Sequence, residues 1–530
     1  MKRFHSYGPV NSRQHFTVPR KELVRSCCDN LIGDPEKGGH YFTIWSPRQT
    51  GKTWLMRQSA KVMERNHREK FIVGMMSVQG VVMDDEDPDE MFLEKFPQLI
   101  WEAFEMKMET HPKNWESFKD IFSRKIGIFD RPLILFIDEF DSLPPKVIDR
   151  LVTLFRDMYQ KRDSYLLHGL ALIGVRSAIG VESLRGSPFN IQRSLHVPNF
   201  TREGTNDLFR QYQVESGQTI DNEVVGNVFD ATSGQPGLVC WFGELLTEKY
   251  NPGKDKKIDL AVWAKVYHLA CDLEMNNTVL NLIKKARKKE YRPYLLKLFT
   301  KSDVAFKVDA RWCGYLYLNG IIMSETGQNN SGGWFTVCRF SCPFIQHRLY
   351  NAFTDDLVGD DIPIPALEPL DDLADVFEIP ELDLPALLMR YKAFLKRLKA
   401  KGANPWKDQP RRADMHLTEA VGHFHLYAWL KEAVDDLCVV SPEFPTGNGK
   451  VDLHLKCSEK RGIIEIKNYK SRSKFKKAIN QAGGYGKSLG LDTVTLAVFV
   501  PTDDEEILAK LSGEEKSEEV RVMVVAIGWV

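Results

Sequence analysis

The chain reads as two α/β units in tandem, joined by mainly helical segments, and three observations carry that reading. An apolar run from Tyr41 to Trp45 leads through a turn holding Pro47 and Gly51 into a helical pattern. A second run, RPLILFIDEFDSL from Arg131 to Leu143, is apolar until it ends in acids, as a central strand of a parallel sheet covered on both faces would be. Near the other end, the stretches from Val451 to Leu455 and from Gly462 to Lys467 alternate apolar and polar, the period of paired strands, with helical patterns on either side.

Bulk properties agree. At 530 residues the chain exceeds what one core accommodates, so three units are expected. A net charge of zero hides a contrast: residues 355–381 hold many acids and no Lys or Arg, whereas Lys456, Lys460, Arg461, Lys467, Lys470, Arg472, Lys474, Lys476 and Lys477 crowd one window. Hydrophobic content of 43% is ordinary, and no apolar run approaches a membrane span, so no membrane partner is expected. The nine cysteines show no Cys-x-x-Cys pair, which predicts neither a zinc site nor a disulfide framework. The polar N-terminus does not read as a secretory signal, and a cytoplasmic location is expected.

In chain order, the first element is the strand from Tyr41, followed by SPRQTGKT over residues 46–53 and a helix. A tight loop running into a helix N-terminus directs backbone N–H groups at an anion, and a phosphate chain fits that cradle. Pro47, Arg48, Gln49, Thr50 and Gly51 form the loop, Lys52 reaches the terminal phosphates, and Thr53 offers its hydroxyl to Mg²⁺, so ATP with Mg²⁺ or Mn²⁺ is the expected cofactor. Ser46 stands where this pattern ordinarily has its first glycine, which requires residue 46 to avoid positive φ. Asp138 is expected to hold the ATP Mg²⁺ through water, and Glu139 to polarise an attacking water. A third strand, from Leu166 to Ala178, carries Arg176 and Ser177 toward the nucleotide edge of the sheet.

These stretches, together with FHSYGPVNSRQHFTVPRKELV, SPFNIQRSLHVPNFTREGTNDLFRQY and TSGQPGLVCWFGELL, resemble the AAA-like, STAND-related P-loop ATPases of bacteria and archaea from about Phe4 to Phe353. The resemblance implies an ATPase core over residues 1–200 and a helical lid over residues 201–275, opened by the turn at Gln235 and Pro236. It also implies Arg176 as a sensor of the terminal phosphate and Arg193 as an arginine finger. No arginine stands beside Gly237 in the usual second-sensor position.

Residues 276–354 read as helices followed by strands from Tyr315 to Ser324 and from Gly333 to Phe340, with GQNNSGG as the hairpin tip, a winged-helix-like module. Residues 355–389 read as an acidic linker, punctuated by Pro363, Pro365, Pro369 and Pro380 and extended by like-charge repulsion.

In the last segment, residues 390–530, Glu465 and Lys467 sit at i and i+2 of a strand and share a face, with Asp452 within reach on the neighbouring strand. Two carboxylates on one patch repel unless a cation separates them, and hard oxygen ligands suit Mg²⁺ or Mn²⁺ rather than Zn²⁺. Such an ion polarises a phosphate and acidifies its water, while the Lys467 ammonium offsets charge growing at phosphorus. Gln481 and Tyr485, four apart on a helical pattern, share a face suited to positioning a nucleic-acid backbone. The lysine-rich window around them favours a polyanion. Upstream, the helical pattern from His416 to Val434 carries Glu419; His416, His423 and His425 read as surface or nucleic-acid-facing residues, since no acid or cysteine stands at zinc-ligand spacing.

This ordered set resembles the PD-(D/E)xK nuclease superfamily, in its RecB-type branch. By that resemblance Glu419, Asp452 and Glu465 ligate the nuclease metal, Lys467 is catalytic, and Gln481 with Tyr485 forms the terminal motif. The expected architecture is therefore an α/β P-loop NTPase sheet with helical lid, a winged-helix-like middle module and a C-terminal α/β PD-(D/E)xK domain. The expected function is an ATP-gated, Mg²⁺-dependent DNA endonuclease, serving defence against phage or plasmids as bacterial proteins of this layout do. DNA, with RNA left open, a homo-oligomer and a partner protein or trigger are the expected partners. Two other readings stay open: a nucleotide-binding switch or scaffold whose nuclease-like domain only binds nucleic acid, and a DNA translocase or recombination factor.

Overall fold

The computed structural model describes residues 1–530 apart from 175–193, 302, 329–331, 359–363, 372, 379–380, 407–418, 435–436, 447–448, 518 and 530. It divides into two compact units. The first comprises Met1–Thr278, Cys313–Ile322 and Ser341–Pro343; the second comprises Val279–Trp312, Met323–Phe340 and Phe344–Val530.

The first unit is built on strands β1 (Tyr41–Trp45), β2 (Ile72–Ser77), β3 (Leu133–Asp138), β4 (Leu167–Gly174) and β5 (Ser194–His196), in the order β2-β3-β4-β1-β5. Every pairing is parallel. β3 is buried at each position, as its unbroken apolar run predicts for a strand covered on both faces. Successive residues alternate between the two layers: Tyr41 joins Phe96, Phe122 and Phe155 in one core, and Phe42 joins Leu31, Leu55 and Met63 in the other. Arg176, Ser177 and Arg193 lie outside the described residues. Helices Arg202–Ser216, Asn222–Thr232, Pro236–Glu244 and Leu260–Asp272 follow β5 in this unit.

In the middle of the chain, β6 (Ile322–Gln328) and β7 (Trp334–Phe340) form the expected hairpin, but its first strand starts later than the sequence suggests. Tyr315 to Leu318 belong to a helix, Arg311–Leu318, and the chain reverses at Gly320, whose φ of +75° suits a residue without Cβ.

The described part of residues 355–389 is not an extended linker. Ile364, Ala366, Leu373 and Val376 are buried, and Trp429 Nε1 donates to the Ala366 carbonyl at 3.1 Å. A helix, Leu384–Ala400, starts within the stretch. The acids do not repel one another into solvent because arginines of that helix match them: Arg390 pairs with Asp371 at 2.8 Å and Asp375 at 2.7 Å, and Arg397 with Glu368 at 3.0 Å.

The second unit carries a six-stranded sheet of β8 (Val439–Thr446), β9 (Gly449–Cys457), β10 (Lys460–Asn468), β11 (Thr493–Val500), β12 (Gly513–Ser517) and β13 (Val520–Gly528), ordered β12-β13-β11-β10-β9-β8. β10, β11 and β13 run parallel, and β8, β9 and β12 are antiparallel to their neighbours. The helix Arg472–Leu489 crosses from β10 to β11 and buries Ala478, Ile479, Ala482 and Tyr485 against Val451, Ile463, Leu496 and Val498. Each fully buried Val, Leu or Ile there contributes roughly 1.5–3 kcal/mol, so the sheet is a rigid platform. Cys438 and Cys457, at facing ends of β8 and β9, form a disulfide, a pairing that only strand register reveals. Among the described residues no helix is long and apolar enough to cross a membrane.

Candidate functional site

At the C-terminal site the β9–β10 ladder pairs Ile463 with His454 and Ile464 with Leu453. Carboxylates then take over the stitching. Asp452 N–H donates to Glu465 Oε2 at 3.4 Å, and Ile466 N–H donates to Asp452 Oδ2 at 2.6 Å, so backbone groups that leave the ladder still find acceptors. Lys467 Nζ lies 2.7 Å from Glu465 Oε1 and 3.4 Å from Asp452 Oδ2. The three residues singled out from sequence thus meet at one point. Glu465 is 1% exposed. Burial, and next the Asp452 charge, push its carboxyl up to about 8, against the smaller opposing pull of Lys467.

Gln481 Nε2 donates to the Tyr485 hydroxyl at 2.7 Å, joining the pair across one helical turn. Burial and the Glu465 charge raise the Tyr485 phenol above its ordinary value, which places it beside the same cluster. Glu419 opens the helix Glu419–Val434, and its side chain lies outside the described residues. The helix is nonetheless seated on the site, because His423, one turn after Glu419, donates from Nε2 to the Asp452 carbonyl at 3.0 Å.

His423 and His425 are therefore not surface residues. They are 2% and 7% exposed, burial lowers the pKa of both, and His425 Nδ1 sits 2.7 Å from the Tyr391 hydroxyl. The helix is buried almost all round, so no polar stripe marks which histidines face water. Among the described residues no group of three or more His, Cys, Asp or Glu is arranged to hold a metal. The donors available are the Asp452 and Glu465 carboxylates. Arg472, Lys474, Lys476 and Lys477 are exposed on the adjoining helix, as a surface that attracts phosphates requires.

In the first unit the loop after β1 closes on itself. Lys52 Nζ donates to the Ser46 and Pro47 carbonyls at 2.9 and 2.8 Å, Thr50 Oγ1 donates to Pro47 O at 2.9 Å, and Gly51 at φ +95° precedes the helix Lys52–His67. Positive φ falls on Gln49 and Gly51 rather than on Ser46, so serine is tolerated where a glycine is usual. Thr53 Oγ1 donates to Asp138 Oδ2 at 2.8 Å, which joins the ends of β1 and β3 at the expected Mg²⁺ position. Burial lowers the Lys52 pKa despite nearby Glu139, Asp141 and Asp138. Burial, then Asp138 and Asp141, raises that of Glu139.

One relationship had no local signal in the sequence. Gly237 N–H donates to the Gln49 carbonyl at 3.1 Å, and Gln235 Nε2 to the Arg48 carbonyl at 3.0 Å, so the helix Pro236–Glu244 rests on the loop. A Cβ at Gly237 would fall 2.4 Å from Gln49 Oε1, which explains glycine at that approach.

Residues 5–250 match the family model described as an AAA-like domain. The matched stretch holds the five-stranded parallel sheet and the loop at residues 46–53. No curated protein matches the chain. Similar solved structures include a Walker-type ATPase of Pyrococcus abyssi, at 14% identity and a TM-score of 0.40 over 63% of this chain and 96% of that one. The Orc1 protein of Aeropyrum pernix in complex with DNA gives 14%, 0.33, 64% and 94%. The RuvB Holliday junction branch migration motor of Thermotoga maritima gives 13%, 0.33, 60% and 92%. Likeness at this level carries no functional argument.

Proposed function

We propose that the chain is an ATP-gated, Mg²⁺-dependent DNA endonuclease, and the observation that carries the proposal is the meeting of Asp452, Glu465 and Lys467 at one point of the second sheet. The donor set fits a hard divalent ion, being made of carboxylate oxygens that together carry two negative charges once ionised. Asp452 and Glu465 would hold Mg²⁺ or Mn²⁺, with Glu419 a further acid on the adjoining helix. When bound, such an ion supplies phosphate polarisation and a more acidic water.

The chain's own residues supply the rest. Glu465 gives up its proton before it ligates. Lys467 keeps a positive charge where negative charge grows on the phosphate, and a preorganised cation acts most strongly in such a buried setting. Gln481 and Tyr485 orient the backbone that the neighbouring lysines attract.

Lys52, Thr53 and Asp138 would bind ATP with Mg²⁺, and Glu139 would orient the water at the terminal phosphate. Gln235 and Gly237 donate to the Arg48 and Gln49 carbonyls, so the helix they open would sense a shift of the loop whose N–H groups face the phosphates. Assembly as a homo-oligomer, a triggering partner and a role in defence against phage or plasmids rest on the family resemblance. A boundary after residue 200 for the ATPase core, a lid to residue 275, a winged-helix-like module to residue 354 and a nuclease domain from residue 390 are part of the same reading.

The test offers supercoiled plasmid, linear duplex, single-stranded DNA and RNA to the wild type and to Lys52→Ala, with and without Mg²⁺ and ATP. DNA cleavage that needs Mg²⁺ and responds to ATP only in the wild type supports the proposal. Nucleic-acid binding without cleavage under every condition overturns it in favour of the switch or scaffold.

A further inference from the structure

We infer a second nucleic-acid contact in the second unit: the corner joining the helices Asn277–Ala286 and Arg292–Thr300 is a docking surface for duplex DNA. Lys284, Lys285, Arg287, Lys288 and Lys289 fall within six residues there, and Glu290 is the one acid from 284 to 297. The corner is closed by its own backbone, with Arg287 N–H donating to Ile283 O at 2.9 Å and Tyr291 N–H to Lys288 O at 2.9 Å. The cations are thus held together on an ordered turn, and Lys284, Arg287, Lys288 and Lys289 are exposed.

A charge run is usually no more than a solvated face. Two features argue for more here. Arg287 is matched by Asp356 at 2.9 Å and so is held in place, and a polyanion crossing the exposed lysines beside it gains by releasing its own counterions. The corner is also anchored to the cutting site: Phe299, at the end of its second helix, packs on Phe424 with ring centroids 5.6 Å apart at 82°, and Tyr350 stacks on Phe424 at 4.3 Å. Phe424 adjoins His423, which holds the Asp452 carbonyl.

The nearby aromatics favour a duplex over a single strand. Tyr294 and Trp312 lie face to face, 4.5 Å apart at 2°, so they spend a face on each other rather than on unstacked bases. What remains is charge, and a duplex carries the denser charge. The surface lies apart in sequence from the lysines of residues 456–477, and two separated phosphate contacts on one unit set the line along which a duplex crosses Asp452 and Glu465. That consequence rests on the endonuclease reading; the binding itself does not.

The experiment measures fluorescence anisotropy of a labelled duplex, without divalent ions, against full-length wild type, Lys284→Ala/Lys288→Ala/Lys289→Ala, and the same three positions changed to Arg. The alanine triple is expected to bind about tenfold more weakly or worse, with the log-log salt dependence reduced by about 1 for each lysine removed. The arginine triple is expected to bind as the wild type does. Equal affinity of the alanine triple and the wild type overturns the inference. So does a loss of binding to phosphatidylserine vesicles with duplex affinity intact, which assigns the corner to a lipid surface. Because no cleavage is read, a failed cleavage assay leaves this result standing, and a failed binding assay leaves the cutting site as it was.

Discussion

Lys467 Nζ lies 2.7 Å from Glu465 Oε1, an ion pair between residues i and i+2 of one strand whose carboxylate is 1% exposed. The same ammonium also reaches Asp452 Oδ2 at 3.4 Å, so both carboxyl groups of the site share it. Both its stability and its metal affinity then follow from how Glu465 holds its proton.

Burial and Asp452 raise the Glu465 carboxyl to about 8. A group raised above its unfolded value of about 4.3 stabilises the fold fully below that value and loses the contribution as pH rises through the raised one. The metal-free protein is therefore expected to melt lower at pH 9 than at pH 6, and Mg²⁺ to raise the melting temperature more at pH 9. Glu465→Gln should flatten both trends. Thermal melts in chelator and in Mg²⁺ check this; identical pH trends in the variant and the wild type would count against it.

Lys52 Nζ is aimed along the loop, toward the carbonyls of Ser46 and Pro47. Hydrogen bonds to a charged group are worth about 1.5–3 kcal/mol, so Lys52→Ala should weaken ATP binding by about tenfold to a hundredfold. Calorimetric titration with ATP reads the change, and unaltered affinity would remove Lys52 from the phosphate site.

Gly237 is expected to couple the lid to the loop, since an added Cβ would meet Gln49 Oε1 at 2.4 Å and Gln49 Cβ at 2.7 Å. Gly237→Ala should destabilise by about 1–3 kcal/mol and change ATP affinity. Adding Gln49→Gly, which removes both atoms and suits the φ of +58° there, should recover most of both, a coupling that a double-mutant cycle measures. Effects that simply add would show that the two residues act independently.

His425 is 7% exposed and pushed down to about 4 by burial, and His454 is lowered to about 4 as well. The unfolded chain takes up protons near pH 6.5 that the folded chain refuses. Stability is thus complete above about 6.5 and falls as pH drops toward 4, by on the order of 3 kcal/mol for each histidine. Urea unfolding of wild type and His425→Leu at pH 7 and pH 4.5 should show a smaller acid loss in the variant. Equal losses would mean that His425 titrates freely.

Both candidate sites were legible where their chemistry is local. Residues 46–53 fall consecutively on a strand, loop and helix, and the alternation through Asp452, Glu465 and Lys467 leaves one register for strands joined by a short turn. Parts made by distant segments were not legible. His423 and His425 sit on a helix apolar on all sides, where helical period cannot separate core from surface. Tyr315 to Leu318 has the aromatic content of a strand, yet it continues a helix begun at Arg311. The acids of residues 355–389 looked self-repelling because their partners Arg390 and Arg397 come later in the chain, on a helix whose packing decides the matter. Cys438 and Cys457 meet only once β8 and β9 are in register.

The most direct measurement is the initial rate of supercoiled-plasmid nicking in Mg²⁺ by wild type and Glu465→Gln side by side, with equal folding confirmed by circular dichroism. The account predicts nicking by the wild type that chelator abolishes, and a loss of about a hundredfold or more in the variant, the scale on which one electrostatic group at a reacting centre acts. Equal rates would contradict it and take Asp452, Glu465 and Lys467 out of the chemistry.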